Sequence, residues 1–233
     1  MIKIENTDVH GWEAAIRGMR NPLNSWEKSD TAFYSYPEEG VAHKIGPNDL
    51  DLMKRLCNAG TDHRKFMRMI VVWVDIAAPL YWWKQFDTYK VGPVRDSCST
   101  MHKIHAKEFE ISDFSVDRLC QKNINLYEAY IIPNLNYYRN RYLETKNEDD
   151  WYQLIQLLPD SYIQLSTVML NYEVLINMYH ARKNHKLTEW HDFCDWIESL
   201  PYSELITGKW SKTFEYADQP GLANAAQPIF QLA

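Results

Sequence analysis

The chain has 233 residues and a mass of 27.6 kDa, enough to bury a full core without disulfides or structural metal. With 45% hydrophobic, 24% charged and 14% aromatic residues, it belongs to the globular class and not to the disordered one. A formal net charge of -6 argues against a protein that draws its affinity from neutralising a polyphosphate backbone, so duplex DNA and RNA are not expected partners, whereas a small anion, which needs one or two well-placed cations, remains allowed.

The opening MIKIE alternates like a short strand, and Trp12 to Met19 has the spacing of a short helix leading into a polar loop over 20–35. Asn48 is expected to cap a helix whose apolar face is Leu50, Met53, Leu56 and Cys57, with Gly60 as its stop. The run FMRMIVVWVDIA, residues 66–77, is β-branched and aromatic and reads as a central strand. Pro79 suits the first turn of a helix over 78–90, in which Trp82, Gln85 and Tyr89 share one side; Gly92 and Pro93 end it.

Ser115 to Tyr130 and Leu135 to Leu143 read as helices with a break or kink at Pro133, followed by a charged connection capped at Asn147. The spacing of Leu165, Val168, Met169, Tyr172, Leu175, Ile176 and Tyr179 predicts the strongest helix of the chain. A last helix is expected over 188–200, before Pro201. No repeat or long linker marks a boundary, so residues 1–233 are read as one domain; the tail from about 210 is either an extended arm or a segment packed on a neighbouring subunit.

Arg182 lies three residues beyond Tyr179 and so continues the apolar stripe. A guanidinium there needs a carboxylate, backbone carbonyls or a bound anion; the competing reading is a helix-end arginine turned to solvent. The segment YKVGPVRDSCST gathers Lys90, Arg95, Asp96, Cys98, Ser99 and Thr100 around a Gly-Pro break, as either a plain polar turn or an anion-holding loop. His102 and His105, and His180, His185 and His191, lack the company of a metal motif, and no metal site is expected. The longest apolar stretch, 69–83, contains Asp75 and is too short to span a bilayer. Four scattered cysteines with no CxxC pair and no secretory signal ahead of them fit a soluble protein in a reducing cytoplasm.

The segment Asp75–Phe86, DIAAPLYWWKQF, resembles the strand-to-helix passage E-I-x-A-P-I-F-V-x-R-Q-W of the flavin-dependent thymidylate synthases (ThyX). The register continues without a gap into that family's signature R-H-R-x-x-S-x-N-E-x-S-x-R, which falls on 88–100 in altered form. Thr88 and Tyr89 replace Arg and His, Lys90 keeps a charge, Pro93 replaces Ser, Arg95 replaces Asn, Asp96 keeps the acid, Cys98 replaces the later Ser, and Thr100 replaces the last Arg. A second block, Leu157-Leu158-Pro159 followed by NYEVLINMYHAR at 171–182, resembles the family's L-P and N-x-R-S-L-x-N-F-L-x-L-R segments, with Asn171, Leu175, Asn177 and Arg182 coinciding. Met69 stands where the family has a flavin-contacting His, and Ile155 where it has an Arg; His63 matches an upstream His.

The resemblance implies an α+β single domain with a central sheet and long helices, assembled as a homotetramer. It implies reductive methylation of dUMP to dTMP with FAD, NADPH and methylenetetrahydrofolate, the flavin carrying hydride. Gln85, Lys90, Cys98 and Arg182 would hold the nucleotide, Asp96 would be the motif acid, and His63, Tyr89 and Asn177 would lie toward the flavin. The alternative is a non-catalytic relative that binds or sequesters a nucleotide or signalling nucleotide, which the missing charge-assisted contacts of the signature favour.

Overall fold

The computed structural model of the chain describes residues 2–36 and 40–210, with the backbone alone at 35, 36 and 40–42. The expected tail arm lies outside the described residues. In chain order the elements are β1 (Lys3–His10), α1 (Trp12–Arg20), β2 (Ala32–Tyr36), β3 (Gly40–Lys44), α2 (Pro47–Asn58), β4 (Val71–Pro79), α3 (Leu80–Phe86) and β5 (Val94–Ser97). They continue with α4 (Gln121–Leu126), α5 (Ile132–Thr145), α6 (Glu148–Leu157), β6 (Ile163–Asn171), α7 (Tyr172–Arg182), α8 (Glu189–Glu198) and α9 (Glu204–Thr207). The fold is α+β: a four-stranded sheet in the order β1-β4-β6-β5, a two-stranded antiparallel ribbon of β2 and β3, and helices around them.

The chain forms two compact units. The first holds the residues up to Thr7, Trp73–Met169 and His185–Phe193; the second holds Asp8–Val72, Leu170–Asn184 and the residues from Cys194 on. β1, β4 and β6 each contribute residues to both.

In the first unit, Val74, Ile76 and Ala78 of β4 are buried while Trp73 on the alternate face is exposed, the period of two expected of a strand. Asp75, the acid inside the apolar run, accepts hydrogen bonds from Thr167 on β6 at 2.6 Å and Asn6 on β1 at 2.8 Å, so it ties three strands together. Trp82, Trp83 and Phe86 of α3 pack with Trp190 and Phe193 of α8 in an aromatic cluster. A satellite core of Ile104, Phe109, Phe114, Leu135 and Leu154 is closed by α5 and α6. The break expected at Pro133 is a π-helical turn, Tyr127–Ile131, just ahead of it; helical structure runs on either side, and the wider turn absorbs the bond a proline cannot donate.

The second unit is built on α7, buried along Tyr172–Ile176 and again at Met178 and Tyr179. A helix apolar on so much of its circumference is a core helix. Asn171 caps it, its side chain accepting from the Val174 N–H at 3.0 Å. The buried Arg20 donates to the buried Asp49 at 2.7 Å, and Ser29 and Thr31 donate to the other carboxylate oxygen. Arg64 grips Glu173 through two nitrogens at 2.8 and 3.1 Å.

Several expectations about these elements need correction, and the helix expected over 115–130 begins only at Gln121. The long helix predicted from Leu165 is half strand: Gln164, Ser166, Val168 and Leu170 are buried and Leu165 is exposed, so two polar residues of β6 face inward and the helical spacing of its apolar ones was coincidental. Asn48 is not the cap of α2, which begins at Pro47; its first N–H groups, at Asn48 and Asp49, are held by the carboxylate of Asp30 at 2.9 and 3.1 Å. The central strand starts at Val71, because Lys65–Arg68 form a 3-10 turn.

Candidate functional site

The sequence-predicted residues fall into two sets. Gln85, Tyr89, Lys90, Asp96 and Cys98 belong to the first unit, and His63, Asn177 and Arg182 to the second.

In the first unit, Gln85 sits half-buried near the end of α3, and its Oε1 accepts from the indole N–H of Trp190 at 3.0 Å. Tyr89, in the turn beyond the helix, meets the same indole edge-on with ring centres 6.3 Å apart. Trp190 thus brings Gln85 and Tyr89 to one place. It was not singled out from sequence, which read it only as part of the last helix over 188–200. The helix expected over 78–90 ends at Phe86, and Lys90, in the turn that follows, is exposed.

Residues read as a polar turn contain an edge strand. β5 pairs antiparallel with β6, Arg95 opposite Val168 and Asp96 opposite Thr167. Alternation separates the two neighbours: Arg95 turns to the inner face and Asp96 is exposed. The Arg95 guanidinium donates to both oxygens of Asp87 at 3.0 and 2.8 Å, to Ser166 at 2.9 Å and to Gln164 at 2.5 Å, and it lies 3.9 Å from the ring centre of Trp83. Arg95, expected as a second cation beside Lys90, is a structural residue. Gln164 also donates to the backbone oxygen of Cys98 at 2.6 Å, fixing the path beyond the strand, while the Cys98 side chain is exposed.

In the second unit, Asn177 is an exposed position between the buried Ile176 and Met178 of α7, and Arg182 is the last residue of that helix, half-buried where fuller burial was expected. His63 is exposed in the turn that leads to Arg64. Nearby Cys57 is a poor nucleophile, its thiol pushed up to about 12 by burial. Among the described residues no group of three or more His, Cys, Asp or Glu is placed to hold a metal ion, and no helix is long and apolar enough to cross a membrane.

No protein-family model matches the chain, and no curated protein matches it. Solved structures do. The structure of thymidylate synthase X from Helicobacter pylori with FAD and dUMP is similar with a TM-score of 0.64 and 17% identity, over 90% of this chain and 98% of that one. A second flavin-dependent thymidylate synthase structure from Helicobacter pylori, complexed with FAD and dUMP, gives 0.61 and 16%, over 89% and 98%. The fold is that of a flavin-dependent thymidylate synthase. Two of the altered positions can be placed within this ThyX fold. Ile155, standing where the resemblance expects an Arg, packs against the satellite core. Met69, where it expects a His, is 46% exposed.

Proposed function

We propose that this chain is a nucleotide-binding protein built on the ThyX fold. The observation that carries the proposal is the likeness, over nearly the whole of both chains, to structures holding FAD and dUMP. Gln85, Lys90, Cys98 and Arg182 hold the nucleotide, Asp96 is the acid of the site, and His63, Tyr89 and Asn177 lie toward the flavin.

FAD's pyrophosphate calls for several compensating donors, and dUMP for fewer. Arg95 is taken up by Asp87, Gln164 and Ser166, so Lys90 is the cation that segment 88–100 leaves at the surface. These residues suit one phosphate better than two. With FAD, NADPH and methylenetetrahydrofolate the activity would be reductive methylation of dUMP, the flavin supplying hydride transfer. The engagement of Arg95 favours the second reading, a relative that binds or sequesters a nucleotide or signalling nucleotide without catalysis. Calorimetry with dUMP and FAD separately, and a thymidylate-formation assay, divide the two: dUMP binding without turnover supports the second, and turnover with bound flavin the first.

Self-association into a homotetramer is part of the proposal. In the first unit the sheet face opposite the core exposes Trp73 (43%), Val94 (59%) and Leu165 (46%) around the polar Asp75, Asp96 and Thr167, a mixed surface that suits a second copy. A cytoplasmic location fits the four unpaired cysteines.

A further inference from the structure

The hydrogen bond between Gln85 and Trp190 restricts what Gln85 can do. The Trp190 ring is fully buried and clamped on several sides: Trp82 lies against it with ring centres 4.7 Å apart, and Phe193, Tyr89 and His185 meet it edge-on at 5.6, 6.3 and 6.4 Å. The aromatic core thus sets the direction of its Nε1–H, which reaches the Oε1 of Gln85 at 3.0 Å. The stem of Gln85 is held as well, its backbone carbonyl accepting from the Thr88 hydroxyl at 2.7 Å.

A glutamine amide has one acceptor end and one donor end, and a half-turn about its last bond exchanges them. An indole N–H can only donate. With the amide reversed, donor would face donor and the buried indole would lose its acceptor, so a single orientation is stable. Gln85 therefore gives its oxygen to Trp190 and turns its NH2 group away from the indole as a pair of donors. Whatever meets that group must accept: a phosphate oxygen or a ring carbonyl of a pyrimidine qualifies, and an N–H or amino group of a base does not.

We propose that Trp190 is a positioning residue of the nucleotide site: by holding the Gln85 oxygen it makes Gln85 a hydrogen-bond donor, to which the nucleotide presents a phosphate or pyrimidine carbonyl oxygen. This deepens the nucleotide-binding proposal and rests on its placement of Gln85 in that site. Trp190 acts through Gln85 and not on the ligand.

Calorimetry with dUMP on the full-length protein compares the wild type with Gln85→Leu, Trp190→Phe and the double variant. Gln85→Leu should weaken binding about tenfold and Trp190→Phe several-fold. The double variant should bind like Gln85→Leu alone, because a residue that acts through the amide has nothing further to lose once the amide is gone. Additive losses would overturn the positioning role, as would wild-type affinity in a folded Trp190→Phe. Gln85→Glu keeps an acceptor for the indole and offers no donor at neutral pH. In that variant the Trp190 indole 15N–1H resonance should stay at a hydrogen-bonded position while dUMP affinity falls at least about tenfold; this arm decides the question if Trp190→Phe does not fold. Deoxyuridine, which lacks the phosphate, separates the acceptors: a Gln85→Leu loss confined to dUMP assigns the phosphate, and an equal loss with both ligands assigns a ring carbonyl. No dUMP binding by the wild type would sink the nucleotide-binding reading and this inference with it, whereas wild-type binding that survives Gln85→Glu would sink the inference alone.

Discussion

Arg95 spans both carboxylate oxygens of Asp87, at 3.0 and 2.8 Å, from the middle of an edge strand. The contact locks β5 to the end of α3, and the arginine's other nitrogens reach Ser166 and Gln164 on β6. Asp87 is more than half exposed, so solvent screens that pair and most of the stabilisation comes from the inward bonds. Arg95→Met should lower stability by about 1.5–3 kcal/mol while leaving dUMP affinity within twofold of wild type. Unchanged thermal unfolding with lost dUMP affinity would instead make Arg95 a ligand contact.

Arg20 and Asp49 form a buried pair, 4% and 0% exposed at their side chains. Arg20→Ala leaves the Asp49 carboxylate buried and short of its cation, and should cost about 3–5 kcal/mol, read from urea unfolding. Burial alone would raise the Asp49 pKa, but hydrogen bonds from Thr31, Ser29 and Arg20, with the charge of Arg20, outweigh it and hold it below the ordinary 3.8. A depressed carboxylate contributes stability that is present in full above its unfolded value and is lost as pH falls through the folded one. Stability should therefore drop below pH 3.8, and Asp49→Asn should flatten that part of the profile. An unchanged acid limb in Asp49→Asn would contradict this.

Gly46 precedes α2 with its Cα pressed against Asp30: a Cβ there would lie 2.2 Å from the Asp30 carboxyl carbon and 2.4 Å from its backbone oxygen. Gly46→Ala must displace the side chain that caps α2. A loss of about 1–2 kcal/mol is expected in thermal unfolding. Asp30→Ala should show a similar loss, and the double variant less than the sum.

The large apolar side chains exposed on the sheet face of the first unit, Trp73 among them, are the proposed site of association. Sedimentation at micromolar concentration should give a homotetramer, and Trp73→Glu should shift it toward smaller species. A 27.6 kDa monomer for the wild type would contradict the assembly.

Much of the fold was legible where periodicity and burial agree. α1 and α8 stand where helical spacing placed them, β1 overlaps the expected opening strand but runs on to His10, and the apolar run expected over 66–77 forms its strand at Val71–Pro79. β6 was not legible, because it turns Gln164 and Ser166 inward to meet Arg95 and leaves Leu165 outside; a polar network inverted the pattern that separates strand from helix. The cap of α2 escaped for a related reason: Asp30 comes from another part of the chain, and Asn48 is only the nearest polar residue in sequence. The β2–β3 ribbon has no long apolar run to announce it. Of the candidate site, motif register brought out Gln85 and Tyr89, but their common partner Trp190 is more than a hundred residues away and only the fold joins them.

The most direct test of the nucleotide-binding proposal is calorimetric titration of the purified oligomer with dUMP, alongside Arg182→Ala. Arg182 ends α7 half-buried, and its guanidinium is the group expected to meet the phosphate. Saturable dUMP binding by the wild type, weakened at least about tenfold in a folded, oligomeric Arg182→Ala, is the expected result, tenfold being about 1.4 kcal/mol. No dUMP binding by the wild type, or equal affinity in the variant, would contradict it.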